Sequence, residues 1–247
     1  MKIIWIDECG STNSEISSYP AEEEPLILAT RRQTAGRGQK GNVWESEPGK
    51  NLTFSAMWRP REFPARGQFA LSEAVALAVA DFLKSLGIEA SVKWPNDIYA
   101  GNHKICGILI EHAVTGPFVT RTIAGVGINL NQKRFLSDAP NPVSCVMLTG
   151  REEEPEEALR QFAAALEARL AQTADEASRT ALHEEFKRRM WRFDGVAYPF
   201  RDVALGGEIY RGVIRDVLPT GMLLVENSAG SLREYAFKEV EFLLKNH

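Results

Sequence analysis

The chain has 247 residues, a net charge of −4 at pH 7 and an apolar fraction of 44%. This is the composition of an ordinary globular protein that can bury a sizeable core. The acidic balance disfavours a nucleic-acid partner, whose binding surface would add basic residues to the total. No apolar run is long enough to span a bilayer, and the early acidic residues argue against a signal peptide. The three cysteines show no Cys-x-x-Cys spacing and the four histidines no ligand spacing. We therefore expect a cytoplasmic protein with reduced thiols and without a protein-built zinc site.

The N-terminal region combines strand and helix signals. Residues 2–7 predict a short strand, and the polar segment at residues 11–15 predicts the start of a helix. Thr12 and Glu15 have the spacing of a capping box. Hydroxyls and backbone N–H groups at such a start can also hold a polar ligand, and the two interpretations are compatible.

Residues 33–44 read Gln-Thr-Ala-Gly-Arg-Gly-Gln-Lys-Gly-Asn-Val-Trp, and a short apolar run that predicts a buried strand precedes them. Glycines let a backbone approach a ligand closely, and successive N–H groups in such a turn bind anions. Arg37 adds a fork of donors, and Trp44 offers a flat apolar face. The stretch lacks both the Walker ending and the dinucleotide spacing. It predicts either a loop over a small anion with an apolar body or a solvated basic loop.

The middle of the chain predicts a sheet and a buried helix. Strands are expected at residues 51–58, 104–111 and 121–130, the second of them after a hairpin turn at residues 101–102. The alanine-rich residues 66–86 predict a largely buried helix that ends at a glycine.

Three polar positions stand out in this region. Pro95 interrupts a strand pattern, so that Lys93, Asn96 and Asp97 gather at a turn. Lys104 starts the next strand, where a solvated hairpin lysine is the plain alternative. Asn129 ends a strand whose two glycines do not make a dinucleotide motif, and it is either a ligand contact or a loop-capping asparagine.

The last third predicts two helices and then short strands. One helix begins at Pro155 and another covers residues 176–191, both with a solvated charged face. Five strands follow, at residues 196–200, 208–217, 222–227, 232–237 and 240–244. Such closely spaced strands favour a small closed barrel, which places a domain boundary near Arg192.

Four stretches occur in a specific order. They are residues 11–13, residues 33–44, residues 93–97 with Lys104 and Gly107, and residues 125–129. Together they resemble the biotin–protein ligases. The resemblance implies an α+β fold: a mixed-sheet catalytic domain of the biotin/lipoate ligase type at residues 1–192, followed by a small SH3-like barrel at residues 193–247.

The resemblance also implies a two-step reaction. Biotin and ATP, with Mg²⁺, would give biotinyl-AMP, and a lysine of a biotin carboxyl carrier domain would then take the biotin. The implied catalytic residues are Arg37, Lys104 and Asp97. The implied biotin contacts are Ser11, Thr12, Asn13, Gln33, Gly36, Arg37, Gly38, Lys104 and Gly107. The implied nucleotide contacts are Gln39, Trp44, Lys93, Asn96 and Asn129.

The chain departs from the family pattern at Gln39 and Asn42, where arginines are common. Nothing before Ser11 could hold the DNA-binding domain of some members, so we expect the monofunctional type, a monomer or homodimer without specific DNA binding. The rival interpretations are a lipoate–protein ligase, a non-catalytic regulator that binds biotin or its adenylate, and a nucleic-acid binder that uses the barrel.

Overall fold

The computed structural model describes residues 1–22, 24–38, 43–136 and 141–244. Gln39 and Asn42 lie outside the described residues. In the described part of the chain, no helix has the length and apolar character needed to cross a membrane.

The larger sheet has eight strands within the described residues. They are β1 (Lys2–Cys9), β2 (Leu26–Gln33), β3 (Leu52–Trp58), β4 (Phe63–Pro64), β5 (Ser91–Lys93), β6 (Asp97–Ala100), β7 (His103–Thr115) and β8 (Phe118–Ile128). Their order is β1-β2-β3-β8-β7-β6-β5, with β4 paired to β8. The pair β1/β2 is parallel and the other pairs are antiparallel, so the predicted mixed sheet is confirmed.

The longer helices pack in the main core on one face of this sheet. The helices are α1 (Thr12–Ile16), α2 (Phe69–Ser85), α3 (Cys145–Thr149), α4 (Pro155–Ala171) and α5 (Glu176–Arg188), with a 3-10 turn at Ala65–Gly67. Because successive side chains of a strand point to opposite faces, Phe54, Ala56, Val126 and Ile128 pack with α2 in the main core.

The opposite face is only partly covered. Met57 and Ile123 pack there with Leu28 and with Ile16 of α1 in a small second core. The short α1 therefore shields one end of this face and leaves the middle of the sheet open. That open area becomes the floor of the cleft described below.

A second sheet follows the last helix. It consists of the antiparallel strands β9 (Tyr198–Asp202), β10 (Glu208–Val217), β11 (Leu223–Asn227), β12 (Leu232–Tyr235) and β13 (Val240–Phe242). Their order is β12-β11-β10-β9-β13, as expected for the small SH3-like unit. Its rings pack on the larger sheet: Phe237 and Phe242 lie 6.3 and 6.4 Å from Trp94, whose Nε1 donates to the Gly221 carbonyl. The division at residue 192 stays a prediction.

Several predicted boundaries were wrong for local reasons. The helix predicted at residues 66–86 begins at Phe69, because the 3-10 turn occupies the preceding residues. The helix predicted at residues 176–191 ends at Arg188, because the backbone around Met190 pairs with Val92 of β5. The strand pattern interrupted at Pro95 corresponds to the two short strands β5 and β6. The short β4 and α3 carried too little sequence pattern to be predicted.

The capping box was also wrong. The helix α1 exists, but its N-cap is Ser11, which makes no side-chain cap bond. Thr12 lies inside the helix and its hydroxyl is 2.8 Å from Ser55 Oγ. The polar residues at this helix start therefore bond toward the sheet and not along the helix.

Candidate functional site

A cleft of about 560 Å³ opens on the uncovered face of the larger sheet. Its lining includes most of the residues singled out from sequence: Ser11, Thr12, Asn13, Gln33, Arg37, Gly38, Trp44, Lys93, Asn96, Asp97, Lys104 and Gly107. Segments far apart in the chain thus meet at one site. Gly36 and Asn129 are not among the lining residues in the described part of the chain, and Gln39 lies outside that part.

The middle of the cleft floor is a patch of two glycines covered by an indole. Gly107 of β7 and Gly127 of β8 are cross-strand partners. A Cβ atom on Gly107 would lie 2.9 Å from Trp44 Cζ3, and one on Gly127 would overlap the same indole. The buried Nε1 of Trp44 has no hydrogen-bond partner in the described residues. Side chains at the two glycines would therefore push Trp44 away from the sheet.

Gly36 sets the path of the chain into Trp44. The Trp44 N–H donates to the Gly36 carbonyl at 3.2 Å, and a Cβ on Gly36 would lie 2.5 Å from the Trp44 carbonyl oxygen. Gly36 thus contributes through backbone approach instead of by lining the cleft.

One end of the cleft is cationic. Lys104 Nζ lies 2.7 Å from Asp97 Oδ1, and Lys93 Nζ lies 3.9 Å from the other carboxylate oxygen. Lys93 also lies 5.3 Å above the Tyr99 ring and 5.5 Å above the Phe242 ring. Burial lowers the pKa of Lys93, against the opposing effect of Asp97. Two lysines share one carboxylate here, which leaves a positive charge for an anionic ligand.

The other end of the cleft is formed by hydrogen-bonded polar groups. The Thr12 N–H donates to Gln33 Oε1 at 2.9 Å, and Ser55 Oγ lies 2.5 Å from Asn13 Oδ1. The Asn13 amide lies directly on Gly125, where a Cβ atom would overlap it. This end can hydrogen-bond a polar head group that reaches the floor of the cleft.

The two asparagines predicted to bind nucleotide differ in position. Asn96 lines the cleft, and its Nδ2 donates to the Ile108 carbonyl. Asn129 is buried and its Nδ2 donates to the Val143 carbonyl at 3.0 Å, while its Oδ1 has no partner in the described residues. Asn129 thus holds the segment that follows β8, and its nucleotide contact stays a prediction.

Sequence reasoning missed two polar residues at this site. Glu111 accepts from Asn13 Nδ2 at 2.8 Å and lies 3.5 Å from Arg37 Nη2. Ser55 lies behind the cleft wall. A usable signal for Ser55 was present, because Asn51, Thr53 and Ser55 are polar at alternate positions of an otherwise apolar strand.

The second sheet forms one wall of the cleft, which sequence reasoning also missed. The contributing residues are Val203, Phe237, Lys238, Val240, Glu241, Phe242 and Leu244. No local pattern distinguishes them from other residues of short strands and turns. Only the packing of Trp94 against this sheet places them at the cleft.

Metal ligands are sparse. Within the described ranges, no three His, Cys, Asp or Glu side chains come together in a group that could hold a metal ion. A magnesium ion at this cleft would therefore take most of its ligands from the phosphates of a nucleotide and from water.

Comparisons with known proteins agree with this geometry. The sequence model described as the biotin/lipoate A/B protein ligase family matches residues 9–129. A biotin–acetyl-CoA-carboxylase ligase of Paracoccus denitrificans is 34% identical over 163 residues, which are 63% of this chain and 67% of that protein. The bifunctional ligase/repressor BirA of Bacillus subtilis is 36% identical over 135 residues, or 53% of this chain. The chain spans only 41% of the length of that relative.

The fold is similar to a solved structure over nearly its whole length. The biotin protein ligase of Aquifex aeolicus, in complex with biotin and ATP, superposes with a TM-score of 0.79. The two chains are 25% identical, and the match covers 97% of each. The similarity therefore includes the second sheet as well as the larger one.

Proposed function

The chain belongs to the biotin/lipoate A/B protein ligase family, and we propose that it activates biotin with ATP and transfers it to a lysine of a biotin carboxyl carrier domain. Biotinyl-AMP would be the intermediate. The observation that carries this proposal is the order of chemistry along the cleft floor: a polar end, an apolar middle and a cationic end.

The polar end favours biotin over lipoate. Biotin has a cyclic urea that needs hydrogen-bond donors and acceptors, and Thr12, Asn13 and Gln33 offer both. Lipoate carries an apolar dithiolane at the corresponding end, so it would leave these buried polar groups without partners. Buried polar groups that are left without hydrogen-bond partners strongly weaken the binding of a ligand that lacks the matching groups.

The middle suits the ring and the alkyl chain of biotin. The Trp44 indole packs directly on the backbone of Gly107 and Gly127 and gives the middle of the cleft an apolar surface. Asn13 lies on Gly125, two residues before Gly127 along β8, while Lys104 Nζ lies 5.8 Å from the Trp44 ring. The polar and cationic ends thus flank this apolar surface.

The cationic end supports the first chemical step. The biotin carboxylate must approach the α-phosphate of ATP, and two anions about 4 Å apart repel by on the order of 4 kcal/mol at an effective dielectric near 20. Lys104 would offset that charge, and Lys93 would bind further phosphate oxygens. Arg37, which lies beside Glu111 at the polar end, would have to turn away from Glu111 to add its charge. Magnesium would enter with the phosphates.

Asp97 has a supporting role in this scheme. Its salt bridge of 2.7 Å fixes the Lys104 ammonium at the cleft. When a phosphate oxygen has replaced Asp97 as the partner of Lys104, the Asp97 carboxylate would accept a hydrogen bond from the incoming carrier lysine and orient it.

The proposal is tested by incubating the chain with biotin, ATP, magnesium and a carrier domain, and by mapping the product by mass spectrometry. We expect biotin on a single lysine of the carrier. A parallel reaction with lipoate and a lipoyl-accepting domain distinguishes the two ligase classes. Faster modification with lipoate than with biotin would overturn the proposal, and so would tight biotin binding without any transfer.

A further inference from the structure

A continuous set of hydrogen-bonding side chains runs behind and along the polar end of the cleft. It links Gln33, Thr12, Ser55, Asn13 and Glu111, which lie on β2, α1, β3 and β7. The inner members are buried: Ser55 is 0%, Thr12 3% and Asn13 4% exposed. Groups with so little contact with water bond mainly to one another, so the direction of each hydrogen bond depends on its neighbours.

Glu111 sets that direction, because an ionised carboxylate only accepts hydrogen bonds. Asn13 therefore turns its Nδ2 toward Glu111, at 2.8 Å, and its Oδ1 toward Ser55, while the Leu109 carbonyl is a second, longer acceptor of the same Nδ2 at 3.4 Å. The amide oxygen has no hydrogen, so the single hydroxyl hydrogen of Ser55 goes to Asn13 Oδ1.

The order continues to Gln33. The hydroxyl hydrogen of Ser55 is already donated to Asn13 Oδ1. The contact of 2.8 Å between Ser55 Oγ and Thr12 Oγ1 therefore requires the Thr12 hydroxyl to donate to Ser55. The longer contact from Thr12 Oγ1 to Gln33 Oε1, 3.4 Å, is then weak, and Gln33 Oε1 is held by the Thr12 N–H at 2.9 Å. Gln33 Nε2 is left as a donor, and Thr12 Oγ1 keeps a free lone pair as an acceptor.

The same carboxylate oxygen also lies 3.5 Å from Arg37 Nη2. Both side chains are about half exposed, 48% for Arg37 and 47% for Glu111. Solvent screens such a pair, so it does not lock Arg37. Arg37 therefore stays available to a ligand, while Glu111 keeps its role as the acceptor for Asn13.

We propose that Glu111 is a positioning residue that fixes the donor and acceptor pattern of the polar pocket by ordering the hydrogen bonds through Asn13, Ser55 and Thr12. The recognised ligand group would be one that pairs an acceptor with an adjacent donor, as a cyclic urea does. This inference rests on the proposed function, since it takes biotin as the ligand that carries the urea.

The test variant is Glu111→Gln, which keeps the shape but replaces the pure acceptor by an amide that can turn either way. Glu8→Gln is the matched control, because Glu8 also pairs with an arginine, Arg32, at 2.9 Å on the exposed surface. We expect Glu111→Gln to weaken biotin binding by roughly tenfold in calorimetry without nucleotide. The KM for biotin should rise while the KM for ATP stays within about twofold. Glu8→Gln should change neither.

A double-mutant cycle with Ser55→Ala tests whether Glu111 acts through the chain of side chains. Ser55 lies behind the cleft wall, so Ser55→Ala interrupts the series of hydrogen bonds without removing a direct ligand contact. On that background Glu111→Gln should change biotin affinity by less than about twofold. Ser55→Cys, a weak donor of similar size, serves the same purpose should the alanine variant fold poorly.

The outcomes separate this inference from the proposed function. A wild-type protein that fails to bind biotin overturns both. Wild-type binding with an unchanged affinity in Glu111→Gln overturns the role of Glu111 alone. A loss that is fully retained on the Ser55→Ala background overturns the action through Ser55 and Thr12. An equal loss for biotin and ATP overturns the specific effect on the polar pocket.

Discussion

Gly107 of β7 pairs directly with Gly127 of β8, and the Trp44 indole lies across both. Two facing glycines remove the side chains that would otherwise cover the open face of the sheet. The floor of the cleft is therefore backbone, and its apolar cover over both glycines is the Trp44 side chain.

The first prediction concerns this contact. Gly127→Ala should displace Trp44 and raise the KM for biotin, because the new methyl group would overlap the indole ring. Gly67→Ala is the control, since a Cβ atom there meets only Phe63 at 3.7 Å, an ordinary contact. Steady-state kinetics of both variants check it. Similar KM values for the two variants would contradict the assigned position of Trp44.

The second prediction concerns Lys104. Lys104→Ala should slow adenylate formation by orders of magnitude and affect biotin binding less, because charge builds on the α-phosphate in the transition state. Lys133→Ala removes an exposed lysine that pairs with Glu152 at 3.2 Å, and it should leave the rate unchanged. The measurement is single-turnover adenylation by rapid quench. Formation at the wild-type rate in Lys104→Ala would refute the role.

The third prediction compares how strongly Arg37 and Gln39 retain biotinyl-AMP. Arg37 can make a charge-assisted contact with the adenylate, while Gln39 can make only neutral hydrogen bonds, each contributing about 0.5–1.5 kcal/mol. Gln39→Ala should speed the release of biotinyl-AMP by up to about tenfold, and Arg37→Gly should speed it far more. Dissociation rates of the pre-formed intermediate test this ranking. Equal rates for the two variants would show that it is wrong.

The fourth prediction concerns a buried pair away from the cleft. His183 Nδ1 of α5 lies 2.5 Å from Glu73 Oε1 of α2, and Glu73 is 1% exposed. The hydrogen bond to Glu73 raises the pKa of His183, although burial opposes it. Lys187 lies nearby and is itself paired with Glu184 and Asp216. Burial also raises the pKa of Glu73.

A raised pKa in the folded state means that the protonated imidazole stabilises the fold. That contribution is complete below the unfolded pKa of about 6.5 and is lost as the pH rises through the folded value. His183→Gln should therefore lower the free energy of unfolding by on the order of 2 kcal/mol near pH 6, and by less at higher pH. Urea unfolding across this pH range measures it, with exposed His103→Gln as the control. A loss of unfolding free energy in His183→Gln that grows as the pH rises would contradict the predicted direction of the pH dependence.

Much of the fold could be predicted from the sequence because its signals are local. The longer strands of the larger sheet, the buried helix α2 and the C-terminal strands follow from apolar periodicity and turn residues, while the mixed sheet was implied by the family resemblance. Boundaries failed where tertiary contacts intervened, as at Met190, whose pairing with Val92 ends α5 early. The misassigned capping box has the same cause, since Thr12 bonds to Ser55 of a distant strand.

The site could be predicted only in part. The loop before Trp44 and the turn around Asp97 were recognisable because glycine and proline mark them in the sequence. Glu111 was not, since a single acidic residue in a strand is ordinarily a solvated one. The wall that includes Phe237 and Lys238 depends on how one sheet packs on another, which no local pattern encodes.

ATP–pyrophosphate exchange shows whether this cleft joins biotin to AMP. Labelled pyrophosphate is incubated with the chain, ATP and magnesium, with biotin, with lipoate or with neither. We expect label to enter ATP only when biotin is present, and we expect Lys104→Ala to abolish the exchange while Lys133→Ala does not. Exchange that does not depend on biotin, or that lipoate supports better than biotin, would contradict it.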